Sequence, residues 1–136
     1  MRGDGRIGGW ARRSALVLVT ATGALWPQAS PRAQMGTTVW LATSTAAHDA
    51  LANCLAKAMW NEFVTAPVVF APPRRAAYVN LWPRASQPVD PVATFQIEPQ
   101  QDGTMRIGWQ RLANAPAGAR WDASAKAAAS RCAAGP

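Results

Sequence analysis

Cys54 and Cys132 are the whole cysteine complement of this 136-residue chain, and each sits on the apolar stripe of a segment with helical spacing. Around the first, Leu51, Leu55, Ala58, Met59 and Phe63 recur at helical intervals. Trp121, Ala125, Ala128 and Cys132 fall at i, i+4, i+7 and i+11, one line along a second helix. Both sulfurs therefore face inward. A metal or redox role would need partners: the chain has one histidine and no closely spaced cysteine pair. A structural disulfide between Cys54 and Cys132 is the expectation, closing a loop across positions 78 residues apart.

The amino terminus supplies the oxidising compartment that such a bond requires. Arg2, Arg6, Arg12 and Arg13 precede an apolar run at residues 15–26, followed by small residues at 27–34, the three-part form of a secretory leader. Residues 1–33 read as a signal peptide removed on export, and 34–136 as one domain. The run of twelve is short of the roughly 20 apolar residues that span a bilayer, so no stable membrane insertion is expected after cleavage. Pro27 and Pro31 leave cleavage after Ala29 and after Ala33 both open, and Arg12-Arg13 leaves open both the general and the twin-arginine export routes.

Removing the leader also changes the charge argument. Five of the fourteen basic residues and one of the seven acidic ones precede Gln34, leaving nine and six. The high isoelectric point thus reports partly on the leader, and nucleic acid is not an expected partner. Mild attraction to anionic lipid or cell-wall polymer is compatible with the remainder.

Along residues 34–136, Val39 to Leu41 suggest a short first strand, and Ser44 or Thr45 a cap for a helix over 46–64, with Asp49 in its first turn. Pro67 ends that region; residues 68–71 form a brief strand, Pro72-Pro73 break the chain and Arg74-Arg75 mark a loop. Residues 78–82 alternate as a strand. In residues 92–98, Ala93, Phe95 and Ile97 share one face, with Val92, Thr94, Gln96 and Glu98 on the other. Asp102-Gly103 turns the chain into a strand whose Met105, Ile107 and Trp109 match the apolar face of its predecessor. A helix capped or opened by Asp122 and stopped by Gly135 closes the order. The expected fold is α+β, with two helices packed on one face of a three- or four-stranded antiparallel sheet and joined by one disulfide.

Catalytic machinery is sparse. His48 reads as a polar-face residue of the first helical turn, and no nucleophile elbow, phosphate loop or dinucleotide fingerprint follows residue 33. Each of the six remaining acids has a plainer place: Asp49 and Asp122 at helix starts, Asp102 in a turn, Asp90 before a proline, Glu62 and Glu98 on wet faces. No catalytic, cofactor or metal site is assigned. Tryptophan is the unusual feature, with five of seven after residue 33. Trp109 and Trp121 have core spacing, whereas Trp60 and Trp82 fall off the apolar stripes. With Arg84 near Trp82, and with Arg74 and Arg75, these two form the candidate binding surface.

Residues 92–133 resemble the C-terminal domains of TonB and TolA, periplasmic parts of energy-transducing envelope systems. The match rests on Ala93-Thr94-Phe95-Gln96-Ile97, Asp102-Gly103, the strand from Met105 to Trp109, Gly118, and Trp121-Asp122-Ala123 leading an Ala-rich helix, with a preceding helix that ends in Trp60. A final strand is missing and residues 67–91 are longer and richer in proline than that pattern, so energy transduction is not implied. The expected function is that of a small exported, non-enzymatic binding protein of the cell envelope, contacting an envelope protein or cell-wall polymer through a sheet edge or the Trp82 and Arg84 neighbourhood. The alternatives are a small cell-wall hydrolase or hydrolase inhibitor, and a stabilising envelope protein with no small ligand. No feature sets an oligomeric state.

Overall fold

A computed structural model describes residues 34–86 and 88–135; the predicted signal peptide lies outside the described residues. The elements follow the order β1 (Val39–Ser44), α1 (His48–Ala58), β2 (Phe63–Val69), β3 (Ala77–Pro83), β4 (Ala93–Pro99), β5 (Met105–Arg111) and α2 (Gly118–Ala133). The five strands form one antiparallel-paired sheet in the order β1-β5-β4-β3-β2. Strands 2 to 5 are a simple meander, and α1 carries the chain from one edge of the sheet to the other.

The alternation in β4 and β5 does what its period demands. Ala93, Phe95 and Ile97 are fully buried, as are Met105 and Ile107, while Trp109 is nearly so. Phe95 lies opposite Trp109 and Ile97 opposite Ile107 in register. Leu51 and Leu55 of α1 and Trp121, Ala125 and Ala128 of α2 close over this apolar face in one core. The turn between β4 and β5 needs Gly103, whose φ is 86°, and Asp102 stabilises it by accepting from the Thr104 backbone N–H at 2.9 Å.

Cys54 and Cys132 are bonded, with their Cα atoms 5.8 Å apart. The bond ties α1 to α2 on the helical side of the sheet, as expected from the two stripes. The α+β class and the disulfide hold; the strand number does not. The sheet has five strands because Phe63–Val69, expected as the end of a long first helix and a brief strand, is the full edge strand β2. The helix stops at Ala58, and Trp60 and Asn61 form a turn before the strand. Pro67 lies inside β2 and is tolerated because an edge strand can turn one row of backbone N–H positions away from the ladder.

Both helix starts differ from expectation. The residue before α1 is Ala47, without a side-chain cap, and Ser44 instead donates from Oγ to the Ala133 carbonyl at 3.1 Å, tying the end of β1 to the end of α2. In the second helix, Asp122 lies beyond the first turn and is taken up by β5.

Candidate binding surface

With both helices of the described residues on one face of the sheet, no helix among those residues covers the opposite face. Strand parity and register lay its side chains out in rows. Val64 pairs with Trp82; one further step of the β3–β4 and β4–β5 register sets Trp82 beside Val92 and Val92 beside Leu112, and Met35 bridges to Leu112. The second row runs Ala66, Asn80, Thr94 and Gln110; the third runs Val68, Tyr78, Gln96, Gly108 and Trp40. Neither of the first two rows contains an ionisable side chain.

Hydrogen bonds link the second and third rows into a neutral network. Thr94 donates to the Asn80 carbonyl oxygen at 3.1 Å, Gln96 donates to Gln110 Oε1 at 3.1 Å, and Gln110 donates to the Gly36 carbonyl at 2.7 Å. Trp40, 42% exposed, lies flat on the β5 backbone. A Cβ at Gly108 would come within 2.8 Å of its ring, so only glycine permits this close approach. The Arg106 guanidinium stacks 3.8 Å from the Trp40 ring centroid and donates to Glu98 at 2.7 Å.

The predicted surface residues do not form one patch. Trp60 is 57% exposed in the turn after α1; Arg84 stacks on its ring at 4.7 Å and donates to its carbonyl at 2.7 Å. Trp82 is on the open face, half-buried, with its indole N–H directed at the Val89 carbonyl at 3.5 Å. Arg74 stacks on Phe70 at 4.1 Å, and Arg75 is exposed beside it. Those two lie at the opposite end of the β2–β3 hairpin from Trp60 and Arg84, ~20 Å away along seven strand residues. The structure thus brings together Trp60 with Arg84, sets Trp82 on the sheet face, and separates Arg74 and Arg75 from both.

Trp40, Asn80, Gln96, Arg106 and Gln110 were missed as surface candidates. The alternation of β4 marks its Thr94-Gln96 face as the one turned away from the core, and Gly108 in the interior of a strand marks a close approach. The pairing of β1 with β5 that brings Trp40 there joins residues 68 positions apart, which no local pattern reports.

The carboxylates that have side-chain partners are engaged separately. Asp122 receives two bonds from Arg111, at 2.7 and 2.8 Å, and one from the Trp109 indole at 2.8 Å. The Arg111 hydrogen bonds, aided by that of Trp109 and opposed by burial, hold its carboxyl below the ordinary range. Glu62, expected on a wet face, accepts from Ser124 at 3.0 Å and approaches Arg120 at 3.3 Å, with one oxygen shielded from solvent. His48 Nε2 lies 3.4 Å from the Phe70 carbonyl oxygen. Among the described residues there is no group of three or more His, Cys, Asp or Glu placed to hold a metal, and no helix long and apolar enough to cross a membrane.

The open face also carries a concavity of about 460 Å³ at its Val92 and Leu112 end, walled by residues 88–91. A second, of about 410 Å³, lies between β1 and α2 beside the Arg111–Asp122 pair. A third, of about 470 Å³, follows the seam between the helices over the disulfide. Comparison with protein-family models, with curated proteins and with solved structures returns no match to this chain.

Proposed function

We propose that this chain is exported and serves as a non-enzymatic binding module of the cell envelope, meeting an envelope polymer or protein through the uncovered sheet face. The observation that carries this reading is a sheet that, among the described residues, is packed by helices on one side only, and whose other side offers aromatic rings and neutral amide and hydroxyl groups held in fixed positions. Preorganised side chains of this kind cost little to order on binding. The closed disulfide agrees with an oxidising compartment, and the resemblance of residues 92–133 to the TonB and TolA C-terminal domains agrees with an envelope setting.

A hydrolase of the two-carboxylate kind would need two acids facing each other across a cleft. Here Asp122, Glu62, Glu98 and Asp102 each have a different partner, which favours binding over hydrolysis. Expression of the full chain with a C-terminal tag, fractionation of the cell and intact mass analysis test the proposal. The expected product begins after Ala29 or Ala33, carries the disulfide, and is retained by the envelope fraction in a manner weakened by Trp82→Ala. Cytosolic protein with an intact leader and two free thiols would sink it.

A further inference from the structure

We propose that the groove at the Val92 and Leu112 end of the open sheet face binds an uncharged glycan chain. This assignment rests on the open face being the binding surface and names the class of partner. The groove, about 460 Å³, has Thr94 and Gln110 on its floor and Pro88, Val89 and Pro91 in its wall. Trp82 stands alongside, joined to the wall through the Val89 carbonyl.

A sugar ring is amphipathic, with C–H bonds across its faces and hydroxyls around its edge. The groove matches both parts. The row holding Trp82 and Leu112, both half-buried, with Val92 buried between them, offers an aromatic and aliphatic strip for ring faces. Directly beside it, Asn80, Thr94 and Gln110 offer an amide, a hydroxyl and an amide on adjacent strands, ~4.8 Å apart, a spacing comparable to the width of one sugar ring. Asn80 accepts from Thr94 through its carbonyl oxygen, leaving its amide N–H groups as donors for a ligand.

Charge separates a neutral glycan from the anionic polymers of an envelope. Among the described residues, Asp90 is the one ionisable side chain lining the groove, and no cation lines it. The basic side chains lie elsewhere: Arg106 and Arg111 are paired with acids, and Arg74 and Arg84 are stacked on rings. A phosphate- or carboxylate-rich chain would meet repulsion there and no compensating charge. An extended peptide would find its best hydrogen bonds at a sheet edge, but Pro67 interrupts β2 and a bulge between Trp40 and Ala42 interrupts β1. The groove offers side-chain amides and hydroxyls instead of a backbone ladder.

The test is NMR titration of the exported, disulfide-bonded protein with chitotetraose, cellotetraose, polygalacturonate and a blocked uncharged peptide. Saturable shifts from either neutral oligosaccharide are expected at the Trp82 indole N–H and at amides 92–94 and 110–112, with none from polygalacturonate. Trp82→Ala should weaken binding by about tenfold, since it removes the indole that flanks the groove and donates to the Val89 carbonyl of its wall. Thr94→Val, which keeps the side-chain shape, should weaken it too, and Lys126→Ala on the helical side should not. Absence of shifts with both oligosaccharides, shifts confined to another surface, or occupancy of the groove by the peptide or by polygalacturonate would overturn the assignment. If envelope protein protects these same amides while both oligosaccharides fail, the glycan is wrong and the binding module stands; if nothing protects the face, both fall.

Discussion

The Trp109 indole N–H donates to the Asp122 carboxylate at 2.8 Å, fastening the C-terminal half of β5 to the second turn of α2. Arg111, two residues further along the same strand, grips that carboxylate with both its Nε and Nη2. Asp122→Ala leaves the indole donor of a residue that is 3% exposed without its partner, and should cost about 1–3 kcal/mol in urea unfolding. Asp122→Asn keeps an acceptor for Trp109 and loses only the ionic part, about 1 kcal/mol or less for so accessible a pair. Equal losses in the two variants would show that the indole bond contributes nothing.

The same carboxyl sets the acid limb of stability. Its folded pKa is depressed, chiefly by the Arg111 hydrogen bonds, so the stabilisation is fully present above the unfolded value of ~3.9. As the pH falls, it is lost from that value down through the lower folded one. Asp102, drawn down mainly by its bond from the Thr104 side chain, acts in the same direction. Urea midpoints between pH 5 and pH 3 should therefore fall more steeply for the parent protein than for Asp122→Asn. Superimposable curves would refute the coupling.

The cystine spans 78 residues, and for a loop of that length the chain-entropy argument gives ~4.5 kcal/mol of stabilisation through the unfolded state. Cys54→Ser/Cys132→Ser should lose ~2–5 kcal/mol while keeping the circular dichroism of both helices and the sheet, because the surrounding core of Leu51, Leu55, Ala128 and Ala129 is complete without it. Unfolding of the reduced parent protein should coincide with that of the double variant. A reduced protein as stable as the oxidised one would assign the bond no structural role.

What the sequence made legible is what local period controls. Phe95 and Ile97 against Trp109 and Ile107, the Asp102-Gly103 turn, and the inward line from Trp121 to Cys132 all follow from spacing. The failure at β2 has a specific cause: Phe63 lies at helical spacing from Met59 and is fully buried, and burial satisfies a helical stripe and a strand end equally well. The nearest turn signal, Trp60-Asn61, carries neither glycine nor proline, so the break was invisible. For the binding surface, the outward parity of Trp82 and the exposure of Trp60 were readable, but the distance between Arg74 and Arg84 depends on β2 and β3 being a hairpin. Trp40 over Gly108 depends on the longest-range pairing in the sheet.

That last contact yields the sharpest test of the open face. Gly108 is buried under Trp40 and Thr38, and a methyl group there would sit 2.7 Å from Thr38 Cγ2 and 2.8 Å from the indole, both far inside contact distance. The φ of Gly108 is not in the left-handed region, so the backbone accepts alanine and the strain falls on the two side chains. Gly108→Ala should therefore lift the Trp40 ring from β5, separate it from Arg106, and cost about 1–3 kcal/mol as overpacking does. Trp40→Ala/Gly108→Ala should recover part of that loss, since the added methyl then meets one neighbour instead of two. In a double-mutant cycle the expected sign is a double variant less destabilised than the sum of the single ones, and strict additivity would mean that Trp40 does not rest on Gly108.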